Sequence, residues 1–166
     1  MVRIGYMGIA LGIVVGLVVV IAHLSSSEKR AIKKQIHLLS EWVSKDAEET
    51  TFAMARKTQN LGRLFAENCR FEAEVIPLSG SYAPDEISRY AAQARLQFSR
   101  LSLRFYDLDI HVLEGGQGRV VATARAKGLM RTGEALDETH EVEFLLEKRD
   151  KKWFFTHCEV VEVLEK

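Results

Sequence analysis

The order of segments in this sequence predicts an α+β domain, three helices packed on a curved antiparallel sheet, preceded by one transmembrane helix. Three observations carry that prediction. The chain opens on an uncharged apolar run. Stripes at helical spacing then fill most of the first hundred residues, interrupted by one short hairpin. From Ser102 onwards the pattern alternates with a period of two and no helical segment returns.

The apolar run is IGYMGIALGIVVGLVVVIAHL, residues 4–24, with no formal charge apart from a possible one on His23. About 20 apolar residues at 1.5 Å rise match a hydrocarbon core about 30 Å thick. Gly8, Gly12 and Gly16 fall on one face, the small-residue spacing that lets membrane helices approach closely. A cleaved signal peptide is the competing reading, since Arg3 makes a short basic start. The run exceeds the usual apolar stretch of about 7–15 residues, and no Cys follows it to take a lipid. Residues 1–24 are therefore read as an uncleaved anchor and 25–166 as one domain. Lys29, Arg30, Lys33 and Lys34 follow the run, and counted literally they would hold the domain in the cytoplasm. The layout of an export signal argues the other way. The reading adopted is a bacterial inner-membrane, single-pass protein with a periplasmic C-terminal domain.

Charge excludes one class of partner. Lys and Arg total 23 and Asp and Glu total 23, so there is no global field for nucleic acid. Cys69 and Cys158 lack the paired spacing of a four-ligand zinc site and are read as small half-buried thiols, with one disulfide as the alternative in an oxidising compartment. No metal set and no cofactor are expected.

SSSEKRAIKK starts the first helix of the domain, with a Ser at 25–27 as cap, Glu28 at its positive end and a stripe of Ile32, Ile36, Leu39 and Val43. A second helix is expected over Glu48–Glu67, burying Phe52, Leu61, Leu64 and Phe65, with a break or close packing at Gly62. CRFEAEVI alternates as a strand and PLSGSY turns into a short return strand. Pro84, Asp85 and Glu86 open a third helix, expected to reach Arg100 and to bury Ile87, Tyr90, Ala91, Ala94 and Phe98.

Four strands follow. In SLRFYDLDIHVLE the apolar parity switches between Phe105 and Leu108, which predicts a bulge near Tyr106 and Asp107. RVVATARAKGLM puts Val120, Ala122, Ala124 and Ala126 on one face and Arg119, Thr123, Arg125 and Lys127 on the other. HEVEFLLEKR groups His140, Val142, Phe144 and Leu146. In DKKWFFTHCEVVEVL an unbroken period of two aligns Trp153, Phe155, His157, Glu159, Val161 and Val163.

GSYAPDEISRY, the meander LSLRFYDLDIHVLEGGQGRVVATARAKG and above all DKKWFFTHCEVVEVL resemble the nuclear-transport-factor-2-like superfamily, the cone fold of ketosteroid isomerase and the polyketide-cyclase-like proteins. The likeness runs from about Glu28 to Glu165 and is one of element order and texture. It implies a cone whose inner face lines a pocket, here from Tyr82, Tyr90, Phe98, Ala122, Ala124, Phe144, Trp153 and Phe155. It also implies two uses.

The first is a non-catalytic binding or assembly domain that takes a small apolar ligand or a protein partner near the membrane. A homodimer through the outer sheet face, an envelope partner, or a scaffold role as in type IV secretion systems would fit that use. The second is an isomerase or dehydratase. His157 or His140 would then be the base, Glu159 its orienting partner, and Tyr82 or Tyr90 the donor at the developing negative charge. The isomerase's catalytic Asp and Tyr align with no position here, so the binding reading leads and no catalytic residue is assigned.

Overall fold

A computed structural model describes residues 25–73 and 79–161. The expected anchor at 4–24 lies outside the described residues. No helix among the described residues is long and apolar enough to cross a membrane. Helix α1 occupies 25–43, α2 Thr51–Gly62 and α3 Pro84–Gln97. The strands are β1 Phe65–Ala73, β2 Gly80–Tyr82, β3 Phe98–Leu113, β4 Gln117–Met130, β5 Ala135–Arg149 and β6 Lys152–Val161. They form one sheet in the order β2-β1-β6-β5-β4-β3. It is mixed rather than wholly antiparallel, because β1 runs parallel to β6.

The α1 stripe is buried as its spacing requires, with Ile32 at 0 % exposure and Ile36 and Leu39 beside it in the core. Ser25 is already helical, so the serines do not cap α1. Glu28 also leaves the helix end: its carboxylate accepts from Trp153 Nε1 at 2.9 Å and Lys148 Nζ at 2.5 Å. The hydrogen bond from Lys148 outweighs partial burial and holds the Glu28 carboxyl below its usual range, with Trp153 adding to it.

Helix α2 is shorter than its sequence pattern suggests. It begins after Thr50, whose hydroxyl caps Ala53 N at 3.2 Å, and it stops at Gly62. A Cβ at Gly62 would collide with the Pro84 carbonyl and Ser88, so both the break and the close packing occur there. Phe65 accordingly belongs to β1, and Phe52 is 78 % exposed rather than a core contact.

Helix α3 starts at Pro84 as expected but ends at Gln97, which places Phe98 in β3. Its buried face also differs. Ala94 is exposed and Tyr90 is 43 % exposed, while Arg95 is 1 % exposed. Arg95 donates to the carbonyls of Trp42, Val43 and Ser44, the free acceptors at the C-terminal end of α1, and pairs with Glu49. Burial pushes the Glu49 carboxyl up, but hydrogen bonds from Arg95 and Lys57 prevail and hold it below its usual range. Lys45 completes the knot by donating to the Arg95 and Phe98 carbonyls at 3.0 and 2.7 Å. Burial first, then the nearby Arg131 charge, lowers the Lys45 ammonium. Next to this knot Lys45 pairs with Leu101 through two backbone hydrogen bonds, and Ser40 Oγ donates to Leu103 O at 2.5 Å. These contacts fix the helices over β3.

Two bulges set which side chains face the helices. In β3 the register against β4 shifts between Tyr106 and Asp109, and Asp107 has φ 53°, where the change of parity predicts it. Leu103, Phe105, Leu108, Ile110 and Val112 all pack on the core side. In β6 the partners of Leu145 and Leu146 are His157 and Phe155, which leaves Thr156 as an extra residue.

Candidate functional site

On the inner side of the sheet, between β3–β6, β1 and α1, lies a cavity of about 540 Å³. The inner row of β4 explains where it opens. Val120 and Ala122 are fully packed against Phe144 and Val142 of β5, but Ala124 and Ala126 follow, opposite His140 and Glu138. Methyl groups there leave the volume that larger side chains would fill. The walls are apolar: Leu39, Phe65, Phe71, Leu103, Phe105, Leu136, Val142, Phe144 and Val160, with the two alanines. Among the described residues that line it, Glu138, His140 and the Cys158 thiol supply the polar groups, while Glu72 borders it with a side chain that pairs with Arg70 on the other face.

Ala124, Phe144 and His140 line the cavity as the alternation of β4 and β5 predicts. Ala122 and Phe155 sit in the solid core beyond it. Trp153 is farther still, over Gly118 and Ile32 at the closed end. Phe98 packs against Gly128 outside the cavity. Tyr82 and Tyr90 do not line a wall. They form an edge-to-face pair with centroids 5.5 Å apart, and Tyr82 stacks in the same way on Phe71, which does line it.

His157 and Glu159 need a correction. The extra residue Thr156 inverts the parity of β6, so Phe155 is followed on the inner side by Cys158 and Val160. His157 and Glu159 share the other face with Arg70 and Glu72 of β1 and with Glu143 and Leu145 of β5. They cannot act on a molecule held in the cone. The expected outward charges of β4 pair across to β5: Arg119 holds Glu143 in two hydrogen bonds of 2.8 and 2.6 Å, and Arg125 and Lys127 share Asp137. The hydrogen bond from Arg119 holds the Glu143 carboxyl low against partial burial.

Among the described residues, His140 is the one imidazole at the cavity. Its Nε2 lies 3.3 Å from Glu138 Oε2, two residues back on the same face of β5. A carboxylate at that distance can orient the ring, and a general base must first be held in place. Glu138 is 59 % exposed and His140 28 %, so the pair sits at the mouth and not at the apolar floor. Burial pushes the Cys158 thiol well above its usual value, and the neighbouring Cys69 thiol adds to this. The thiol therefore stays protonated and contributes an apolar, weakly donating surface rather than a nucleophile. Glu138 was missed in the sequence because the strand was expected to begin only after it. The strand starts at Ala135, which brings Leu136 and Glu138 into the inner row.

No protein-family model matches the sequence, and no curated protein matches it. Solved structures do resemble it in fold. A putative scytalone dehydratase from Novosphingobium aromaticivorans superposes with a TM-score of 0.65 at 19 % identity, over 83 % of this chain and 85 % of that one. A hexachlorocyclohexane dehydrochlorinase, LinA type 2, gives 0.65 at 13 % identity over 81 % and 84 %. An NTF2-like protein with a cystatin-like fold from Novosphingobium aromaticivorans gives 0.64 at 12 % identity over 85 % and 86 %. At these identities the likeness is one of architecture. The described chain has the nuclear-transport-factor-2-like fold, helices on a curved sheet around an apolar cavity.

Proposed function

We propose that this protein binds a small apolar molecule in its cone and holds it next to a membrane. The observation that carries the reading is the cavity of about 540 Å³ with apolar walls and the Glu138–His140 pair at its mouth. That division suits a ligand with an apolar body and one polar end. The anchor at 4–24, the inner-membrane location and the periplasmic side of the domain belong to the same proposal and rest on the sequence. A protein partner on the outer sheet face, a second copy or an envelope protein, is compatible with it.

The test uses the chain from Ser25 to Lys166, whose first helix already packs its stripe on the sheet. Nile red should bind saturably with enhanced fluorescence, and Ala126→Phe should abolish the signal while the fold persists by circular dichroism. Equal binding by both proteins would refute the reading. A reporter fused after Lys166 of the full chain should be active in the periplasm, and cytoplasmic activity would reverse the orientation.

A second reading is favoured by the His140–Glu138 contact and by two enzyme-named structures of the same fold. In it His140 takes a proton from a bound substrate and returns it at a neighbouring position, or delivers it to a departing hydroxyl that leaves as water, as an isomerase or dehydratase would. Loss of turnover in His140→Gln with ligand affinity retained would move the protein into that class.

A further inference from the structure

The outer face of the sheet carries a cluster that the cone does not use. We propose that Glu72, His157 and Glu159 form a binding site for a borderline divalent cation, with Zn²⁺ the best-fitting probe. The residues come from neighbouring parallel strands in fixed register, Arg70 opposite His157 and Glu72 opposite Glu159. The Thr156 bulge turns His157 and Glu159 to this face. Each residue offers one ligand atom, and these atoms lie within 4.8 Å of one another.

A third donor within reach distinguishes this cluster from the other histidine contacts of the described residues. His111 Nε2 is 2.9 Å from Asp109 and His140 Nε2 is 3.3 Å from Glu138. His157 Nε2 and Glu159 Oε2 are 3.6 Å apart, too far for a good hydrogen bond. With metal–ligand bonds of about 2.0–2.2 Å, two donors on one tetrahedral ion stand roughly 3.4 Å apart, so the pair is spaced as ligands are. His157 is 18 % exposed and Glu159 43 %, an imidazole held in place beside a reachable carboxylate. Arg70 engages one oxygen of Glu72, but that pair is exposed, and displacing it costs little.

The imidazole favours a borderline cation over a purely hard one, and the two carboxylates neutralise a dication. Glu143 stands opposite Glu159 on β5 and adds negative potential, although Arg119 holds it. Three protein ligands leave at least one coordination position for water or for a donor from another molecule. On this face the ion would clamp β1 to β6.

The experiment is Zn²⁺ titration of the untagged full chain in detergent, by competition with a chelating indicator and by thermal melting. We expect one equivalent per chain, preferred over Mg²⁺ and Ca²⁺, and a melting temperature that rises with Zn²⁺. His157→Ala and Glu159→Gln should each weaken binding about tenfold or more. His111→Ala, His140→Ala and Cys158→Ser should leave it unchanged. If His157→Ala fails to fold, Glu159→Gln, nearly isosteric and more exposed, carries the same test. Absence of stoichiometric binding, or binding that survives Glu159→Gln and disappears in Cys158→Ser, would overturn the site.

Discussion

The two ends of the cone are built from the same strands and behave differently. At the closed end Trp153, Phe155, Val120 and Leu146 are at most 3 % exposed, and an added Cβ at Gly118 would meet Ile32 Cδ1 at 2.8 Å and Trp153 Cζ3 at 3.2 Å. At the open end Ala124 and Ala126 take the equivalent inner positions of β4 and leave the cavity. Burial therefore has opposite uses along one strand. Large side chains at the closed end stabilise the domain, and small ones at the open end forgo that stability to keep a space. A run of contacting aromatic rings links the two, from Phe155 to Phe144 at 5.3 Å and on to Phe105 at 5.6 Å.

Substitutions at the two ends should separate these roles. The largest effect belongs to Phe155→Ala, which opens a void in the solid core and should cost about 3–5 kcal/mol by urea unfolding. Gly118→Val forces Ile32 and Trp153 apart and should cost about 1–3 kcal/mol in the same assay. Trp153→Phe keeps most of the packing but loses the hydrogen bond to Glu28. The loss should be about 1.5 kcal/mol, the low end for a charged acceptor, since water can reach Glu28. At the open end Ala124→Leu should change stability by less than about 1 kcal/mol, because the added atoms enter free volume, yet it should remove Nile red binding. A cost comparable to Phe155→Ala there would mean the cavity is already filled.

The smallest expected effect is a pH dependence. Glu28 and Glu49 are both held below the ordinary carboxyl range in the folded protein. Their contribution is fully present above the unfolded value of about 4.3 and is lost as pH falls through the folded values. Stability should decline in acid below about pH 4, and Glu49→Gln should make that decline shallower. An unchanged acid slope would show that the Arg95 knot does not select the ionised form.

How much of this was legible in the sequence depended on whether side-chain type could fix parity. The β3 bulge was readable because Phe105 and Leu108 are apolar and Tyr106 and Asp107 interrupt them. The β6 bulge was not. After Phe155 one parity holds His157, Glu159 and Val161 and the other Cys158 and Val160, so each contains valine and neither is clearly the inner one. The cavity wall of β4 and His140 followed from plain alternation. Arg95 escaped because a charged residue is ordinarily assigned to solvent, and only the fold brings three carbonyls at the C-terminal end of α1 to it. The parallel pairing of β1 with β6 likewise depends on contacts distant in sequence.

The central claim is that the cone is packed at one end and vacant at the other. Methyl-resolved NMR of the chain from Ser25 to Lys166 under xenon pressure tests it most directly, because xenon enters apolar cavities and shifts the methyls around it. Leu103, Leu136, Val142 and Val160 should shift with a saturable dependence on pressure, while Ile32, Val120 and Leu146 should stay fixed. Shifts centred on Ile32, Val120 and Leu146, or none at any of these methyls, would contradict the account.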